Sequence, residues 1–295
     1  MWIPTDHDGQ PDRASLETHI AWLRQRGIHG VLALGSTGEF PRIGLEQREA
    51  TLELVAELAA PLPVIANVSD IRPKAVAQLG RRARALGLAG VAIMPPGFFP
   101  ISQDDLLAHF LHAADTAQLP VMLYNFPELS GSRIGVETIA AFAGRARMAA
   151  IKQSGSEFAY HKDLIALGRE QNFRIFSGAD TRLPEVFALG ANGCIGGLVN
   201  FVPEPMVRIF NCCKRGVAGD VESPLTQLRE VGAIIDRLKF PLNVAAGMTA
   251  RGLPVGEPKS VVSEASWQLY HGIVEDLRHR FGVWNIDAVA ATVAR

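Results

Sequence analysis

The residues with the clearest chemical potential lie at 148–155, where a short apolar run ends in Lys152 and a small polar loop follows. This pattern predicts a strand that delivers a lysine amine to the carboxyl end of a sheet, with a helical pattern from Glu157 onward. An amine held among apolar side chains is poorly solvated as an ammonium ion, so burial favours its neutral, nucleophilic form. Such an amine is suited to forming a Schiff base with a carbonyl substrate. The structural alternative is a lysine that ends a strand and extends its amine into water.

Two further segments place polar groups at predicted strand ends. The turn Gly35-Ser36-Thr37-Gly38-Glu39 has two hydroxyls and backbone N–H groups that can hold an anion. Tyr124 ends the apolar run at 121–124, and its phenol can move a proton. For each segment alone, an ordinary tight turn and a structural tyrosine are the alternatives.

Together the three segments predict one site, because the carboxyl ends of barrel strands form the rim where chemistry occurs. An anion-binding turn, a proton-transfer phenol and a nucleophilic amine match the needs of a 2-oxo acid. Its carboxylate would bind the turn and its ketone would condense with Lys152. The protonated imine would then be the electron sink for carbon–carbon cleavage or loss of water.

The elements that must position these groups alternate along the chain up to about residue 218. Apolar β-branched runs and helical periodicity form about eight strand–helix steps, the number that closes a (β/α)8 barrel. An open doubly wound sheet is the alternative, although no Gly-x-Gly-x-x-Gly turn follows the first strands, which disfavours its dinucleotide-binding form. The first strand is short, since Met1 to Pro4 alone are available for it. The predicted strands are 1–4, 30–34, 64–66, 91–94, 121–124, 148–152, 173–177 and 193–197.

Past residue 218 the pattern is mostly helical, with predicted helices at 221–238, 244–250 and 261–270. No Ser/Gly-rich linker or repeat separates this region from the rest. We therefore expect an α/β fold with a barrel at 1–218 and a C-terminal helical appendage at 219–295 that belongs to the same structural unit.

Composition excludes several classes of partner. The formal net charge is −1 and no basic stripe is present, which argues against nucleic acid or an anionic membrane surface. No apolar run approaches the ~18 residues of a membrane helix, and residues 1–8 lack a signal-peptide pattern. Cys194 is isolated, and the neighbours Cys212 and Cys213 rarely bridge each other, so a reducing cytoplasm fits.

Four motifs stand out along the chain: Gly35-Ser36-Thr37-Gly38-Glu39, Tyr124-Asn125-Phe126-Pro127, Ile151-Lys152-Gln153-Ser154 and Gly193-Cys194-Ile195-Gly196-Gly197. In order and spacing they resemble the dihydrodipicolinate synthase / N-acetylneuraminate lyase superfamily of class I aldolases. The resemblance implies a (β/α)8 barrel with a C-terminal helical region, often a tetramer built from dimers. It implies that Lys152 forms a Schiff base with pyruvate or a pyruvate-derived 2-oxo acid and that Tyr124 relays protons. It also implies that Ser36 and Thr37, in the turn that starts at Gly35, bind the carboxylate, and that the Ile195 backbone lines the pocket.

The departures from the family pattern concern the substrate. Synthases of the lysine pathway usually have a relay tyrosine in the loop after the fourth strand, where this chain has Phe98 and Phe99. They also have an arginine for the second substrate where Leu129 stands here. The stretch Leu129-Ser130-Gly131 is more similar to sialate lyases, yet Thr181 follows Asp180 where lyases have an Asp-Glu pair.

We therefore predict a lyase that needs no metal or cofactor and forms a Lys152 imine with a 2-oxo acid, either a pyruvate-releasing aldolase or a 2-keto-3-deoxy sugar acid dehydratase. The turn at residues 38–41 is similar to branches that act on hydroxy-oxoglutarate or deoxy sugar acids. One alternative is 4-hydroxy-tetrahydrodipicolinate synthase, which joins pyruvate and aspartate semialdehyde. The other is a barrel that binds a keto acid without turnover, although binding alone would not need the amine and the phenol together.

Overall fold

The computed structural model describes residues 1–289. Within them one sheet contains seven strands that follow each other in chain order, and every pair from the second strand to the seventh is parallel. Each predicted strand after the first is confirmed to within a few residues, although the last is shorter than expected. The strands are β1 (Val31–Ala33), β2 (Val64–Asn67), β3 (Gly90–Ile93), β4 (Val121–Asn125), β5 (Met148–Gln153), β6 (Arg174–Ser177) and β7 (Gly193–Cys194).

The predicted first strand at residues 1–4 is wrong. The Met1 nitrogen donates to the Leu32 carbonyl at 2.6 Å, but the Trp2 N–H donates to the Asn200 side chain at 2.8 Å. Pro4 has no N–H to offer. Because the Trp2 N–H bonds to a side chain and Pro4 has no donor, the segment cannot form a regular ladder of backbone hydrogen bonds with a neighbouring strand. It is therefore not a strand, even though Ile3 is fully buried.

Helices connect the strands and form the C-terminal region. The helices predicted at 221–238, 244–250 and 261–270 are confirmed to within a few residues, except that the last continues past Tyr270 to Val283. The short helix at Pro127–Ser130 was not predicted. The helices are α1 (Arg13–Gln25), α2 (Leu45–Ala59), α3 (Pro73–Ala85), α4 (Gln103–Ala117), α5 (Pro127–Ser130), α6 (Val136–Ala143), α7 (Tyr160–Gln171), α8 (Leu183–Leu189), α9 (Pro203–Arg215), α10 (Glu222–Ile235), α11 (Leu242–Ala250) and α12 (Glu264–Val283).

Local sequence signals explain several helix starts. The Ser102 hydroxyl accepts a hydrogen bond from the Asp105 N–H at 3.1 Å and so caps the start of α4. Pro73 and Pro203 are the first residues of α3 and α9, where a missing N–H costs no helical hydrogen bond. The Asp12 carboxylate caps α1 by accepting from the backbone N–H groups of the first turn.

The chain divides into two compact units. One consists of 63–196 and 210–217 and contains β2 to β7, in which every residue of β3 and β4 is buried. Such continuous burial is expected of parallel strands covered on both faces. The other consists, within the described residues, of 1–62, 197–209 and 218–289. In it α11 contacts α10, α12 and the 3₁₀ turn at Leu198–Asn200. The predicted boundary at residue 218/219 stays a prediction.

None of the helices within residues 1–289 combines the length and the hydropathy that a membrane span requires.

Candidate active site

Lys152 and Tyr124 lie side by side at the carboxyl ends of β5 and β4. They are paired in the parallel register, so their side chains leave the sheet on the same face. The Lys152 Nζ donates to the Tyr124 Oη at 2.9 Å and lies 4.0 Å from the centroid of the phenol ring. Lys152 is 7% exposed and Tyr124 is 1% exposed. The amine is therefore enclosed, and the alternative of a lysine that reaches water is wrong.

Aromatic rings line the surroundings of this pair. Phe176 of β6 is the register partner of Lys152 on its other side, and Phe126 stacks on the Tyr124 ring with 6.3 Å between centroids. The Phe176 ring packs directly against the backbone of Gly193 in β7, where a Cβ would come within 2.7 Å of the ring. The environment matches the sequence expectation of an amine held between apolar walls.

The loop that follows Lys152 is fixed by a residue that the sequence reasoning missed. The Glu128 carboxylate, on α5, accepts hydrogen bonds from both the N–H and the hydroxyl of Ser156 at 2.6 Å. Burial acts to raise the pKa of Glu128, but the hydrogen bonds from Ser156 lower it overall. Gly155 adopts a left-handed backbone (φ +95°), and a side chain there would overlap the carboxylate.

A second residue that was not predicted as part of the site is Asp180, which follows β6. The Cys194 thiol donates to its Oδ1 at 3.4 Å, and a Cβ at Gly196 would overlap the same carboxylate. Burial and the negative charge of Asp180 raise the pKa of Cys194 well above its ordinary value, although the Lys152 charge acts in the opposite direction. The thiol is thus kept protonated, as expected of a packing cysteine rather than a nucleophile. A carboxylate just after a strand end was the available sequence signal for Asp180.

The Gly35-Ser36-Thr37-Gly38-Glu39 segment forms the tight turn that the sequence predicts. Ser36–Gly38 is a single 3₁₀ turn, closed by hydrogen bonds from Gly38 N to Gly35 O and from Glu39 N to Ser36 O, both at 3.0 Å. Gly35 precedes it and contributes no side-chain cap. The Ser36 side chain is largely buried, and the turn ends at Glu39, whose backbone is left-handed.

The structure brings the predicted amine and phenol into direct contact. Ile195 follows β7 in the same unit, and its N–H donates to the Ser177 carbonyl at 2.9 Å. Gly35, Ser36 and Thr37 belong to the other unit. That the turn and the Ile195 backbone contribute to the site of Lys152 and Tyr124 stays a prediction.

Comparison with known proteins identifies the family. The model of the dihydrodipicolinate synthetase family matches residues 1–279. A 4-hydroxy-tetrahydrodipicolinate synthase from Staphylococcus carnosus is 31% identical over 219 residues, which is 74% of this chain and 74% of that protein.

Two solved structures show the fold. YagE, a prophage protein of the dihydrodipicolinic acid synthase family from Escherichia coli K12, was solved in complex with pyruvate. It superposes with a TM-score of 0.85 at 24% identity over 94% of this chain and 96% of YagE. A 2-keto-3-deoxygluconate aldolase from Sulfolobus, in complex with D-KDPG, has a TM-score of 0.86 at 19% identity over 98% of each chain. The predicted (β/α)8 barrel class with a C-terminal helical region is confirmed. The chain belongs to the dihydrodipicolinate synthetase family and, with it, to the lyases.

Proposed function

We propose that this lyase acts on a 2-oxo acid through a Schiff base on Lys152, either as a pyruvate-releasing aldolase or as a 2-keto-3-deoxy sugar acid dehydratase. The observation that carries the proposal is the contact between the enclosed Lys152 amine and the Tyr124 hydroxyl. A buried amine with a phenol at hydrogen-bond distance has both groups that imine formation needs, a nucleophile and a proton donor or acceptor. Pyruvate is the compound bound in the YagE structure, and the Sulfolobus relative is named for a 2-keto-3-deoxy sugar acid.

In the proposed mechanism the neutral Lys152 amine attacks the C2 carbonyl, and loss of water gives the imine. In an aldolase the C4 hydroxyl then gives up its proton, the C3–C4 bond breaks, and an aldehyde leaves. The bond's electrons form the enamine of pyruvate, which is protonated at C3. Hydrolysis of the imine releases pyruvate and regenerates the amine. In a dehydratase the enamine forms by loss of a C3 proton, and the C4 hydroxyl leaves as water.

We assign the proton transfers at the imine nitrogen and the carbinolamine oxygen to Tyr124, since its Oη is 2.9 Å from the reacting nitrogen. Ser36 and Thr37 would bind the substrate carboxylate, with Gly35 shaping their turn and the Ile195 backbone lining the pocket. The resemblance to the family motifs supports these assignments.

Reduction with borohydride in the presence of pyruvate tests the imine. The expected result is a covalent pyruvate adduct that peptide mapping by mass spectrometry assigns to Lys152. Lys152→Met should give none, and Lys162→Met, at an exposed lysine of α7, should be labelled like the parent. No adduct on Lys152 would reject the mechanism. If Lys152→Ala also kept full affinity for pyruvate and the parent turned over no 2-oxo acid, the non-catalytic barrel would be favoured instead.

Aldol cleavage and dehydration differ in their products. A panel of 2-oxo-3-deoxy acids of different lengths should be assayed for pyruvate and for the unsaturated or deoxygenated product. Release of pyruvate with an equal amount of aldehyde identifies the aldolase, whereas loss of water without pyruvate identifies the dehydratase.

The second candidate is 4-hydroxy-tetrahydrodipicolinate synthase, which the 31% identity to the Staphylococcus carnosus protein favours. Against it, Phe98 and Leu129 stand where the resemblance predicts a tyrosine and an arginine, and neither side chain can transfer a proton or pair with a carboxylate. Condensation of pyruvate with aspartate semialdehyde, assayed beside the sugar-acid panel, separates the two. Activity equal to that on the best sugar acid would favour the synthase.

We also propose a cytoplasmic homo-oligomer, a tetramer or a dimer. All three cysteines are free, which fits a reducing compartment. Phe98 and Phe99 are 89% and 70% exposed and meet edge to face, as expected of rings that a second copy would cover. Light scattering after gel filtration should give a multiple of the chain mass, and Phe98→Ser/Phe99→Ser should lower it. An unaltered oligomer in that variant would place the interface elsewhere.

A further inference from the structure

Lys259, in the segment between α11 and α12, has no part in the proposed reaction, yet its amine is enclosed. Its side chain is 4% exposed, and its Nζ lies 3.4 Å from the Glu39 Oε1 and 4.6 Å from the centroid of the Trp2 ring. Burial lowers the pKa of Lys259 below its ordinary value, while the Glu39 carboxylate acts to raise it. Removing Glu39 would leave the Lys259 charge buried without its carboxylate partner, whereas removing Lys259 would leave Glu39 with one ion-pair partner fewer.

Glu39 is the last residue of the turn that contains Ser36 and Thr37. Its backbone is left-handed, with φ 57° and ψ 36°, a conformation that residues other than glycine rarely adopt. Its carboxylate also forms an ion pair with Arg42. A strained backbone persists where surrounding contacts hold it, and here the contacts come from Lys259 and Arg42.

The segment that carries Lys259 is itself fixed to the first residues of the chain. The Trp2 Nε1 donates to the Val255 carbonyl at 2.8 Å, and the Glu257 N–H donates to the Thr5 carbonyl at 2.8 Å. Gly256 lies directly against Thr5, because a Cβ there would come within 2.5 Å of the Thr5 backbone. These contacts fix the segment that carries Lys259, so its amine restrains Glu39 at the end of the turn and does not move with it.

The turn packs against the same first residues. A Cβ at Gly38 would come 2.9 Å from the Met1 carbonyl oxygen and 3.0 Å from the Ile3 side chain. The peptide next to Thr37 is therefore held by close packing at Gly38, and the end of the turn is held by charge at Glu39. Loss of Lys259 would weaken the charge restraint, in which Arg42 also takes part, while the packing at Gly38 remained.

We propose that Lys259 is a positioning residue for the substrate: through Glu39 it holds the Ser36 and Thr37 hydroxyls in the geometry that binds the carboxylate of the 2-oxo acid. The inference rests on the proposed function of Lys152 and assigns a role to a lysine outside the reacting groups. It requires that Lys259 affect only substrates with a carboxylate next to the ketone, because its proposed role concerns the carboxylate-binding hydroxyls and not the reacting amine or phenol.

The test compares borohydride trapping of Lys152 by pyruvate and by pyruvamide, its uncharged amide. In Lys259→Met we expect the half-saturating concentration of pyruvate to rise about tenfold, as when one hydrogen bond to a charged group is weakened. The value for pyruvamide should change by less than about twofold. Lys259→Arg, which keeps the charge, should restore most of the preference for pyruvate. Lys74→Met, at an exposed lysine of α3, is the matched control and should leave both values unchanged.

Should Lys259→Met not fold, Glu39→Gln/Lys259→Met replaces it, since that pair leaves no buried charge unpaired. The same selective loss of pyruvate binding is expected there. Equal weakening of both probes in a folded variant, or no change in either, would overturn the role of Lys259. A parent protein that gives no Lys152 adduct would instead reject the proposed function, so the two failures are distinguishable.

Discussion

The Asn125 Nδ2 donates to the Gln153 Oε1 at 2.7 Å, one residue beyond the pair formed by Tyr124 and Lys152. Both amide side chains are fully buried, and the Asn125 Oδ1 accepts from the Ile134 N–H at 2.9 Å. The pairing of β4 and β5 is irregular near their starts, where the register shifts by one residue. A one-residue slip would turn Lys152 to the opposite face of the sheet, so the amide pair helps to hold the amine beside the phenol.

Gln153→Met should therefore reduce both stability and imine formation. It leaves the Asn125 Nδ2 without its acceptor in a buried position, which should cost about 1–3 kcal/mol in the free energy of unfolding. The trapping rate with pyruvate should fall as well, because the register is less firmly held. Chemical denaturation and borohydride trapping measure the two effects. Gln171→Met, at an exposed position of α7, should stay within about 0.5 kcal/mol of the parent. A Gln153→Met variant with the stability of that control would contradict the anchoring role.

Tyr124→Phe should remove proton transfer while it keeps the ring on which the Lys152 amine lies. We expect turnover to fall about 100-fold or more, the usual contribution of a positioned acid or base, with a loss of about 1 kcal/mol in stability. Steady-state kinetics on the best 2-oxo acid provide the measurement. Tyr160→Phe is the matched control, since the Tyr160 hydroxyl is also buried and donates to the Ile134 carbonyl at 2.7 Å. It should lose similar stability and little turnover, and equal turnover losses in the two variants would argue against a relay at Tyr124.

The amine and the phenol were predictable because each ends an apolar run of strand length. Strands that follow each other along the chain also lie next to each other in this sheet, so Tyr124 and Lys152 become neighbours. The α12 helix was predicted to end too early, although its continuation carried a readable signal. Ile273, Val274 and Leu277 follow at helical spacing and are buried.

Contacts between loops could not be predicted in the same way. The Lys259–Glu39 ion pair joins residues separated by 220 positions, and the Trp2 N–H donates a hydrogen bond to the Asn200 side chain, 198 positions away. Periodicity describes one element at a time and contains no information on which loops meet. The first strand was wrong for this reason, since its outcome depended on a distant asparagine.

Gly196→Ala should displace the carboxylate of Asp180. Gly196 does not have a left-handed backbone, so the backbone itself allows alanine, and the three atoms nearest to the added Cβ all belong to the Asp180 carboxyl group. We expect a loss of about 1–3 kcal/mol in stability, as for overpacked sites, and changed relative rates across the sugar-acid panel. In the Asp180→Ala background the same substitution should cost less than about 0.5 kcal/mol, because the conflicting atoms are gone. Denaturation of the four proteins in this cycle gives the coupling. If the stability losses of Gly196→Ala and Asp180→Ala were additive, the alanine methyl group would not be in conflict with Asp180.

The burial of His19 should make the free energy of unfolding depend on pH. Its Nε2 lies 2.9 Å from the Asn200 carbonyl, which can only accept, so the neutral ring carries its proton on Nε2. Its Nδ1 is buried without a hydrogen-bond partner in residues 1–289, and burial lowers the pKa of His19 to about 4. A second proton would place an N–H where no acceptor stands.

Because the folded pKa of His19 lies below the ordinary value of 6.5, the unfolded chain binds the proton more tightly. Stability is therefore lost as the pH falls from about 6.5 toward 4, and the contribution of His19 to that loss is about 2 kcal/mol at pH 5. His19→Gln keeps an amide N–H for the Asn200 carbonyl but cannot titrate. The difference in unfolding free energy between pH 7.5 and pH 5 should shrink by about 2 kcal/mol in this variant. His279→Gln, at an exposed position of α12, is the matched control. An unchanged pH dependence in His19→Gln would mean that the buried imidazole is not the group that titrates.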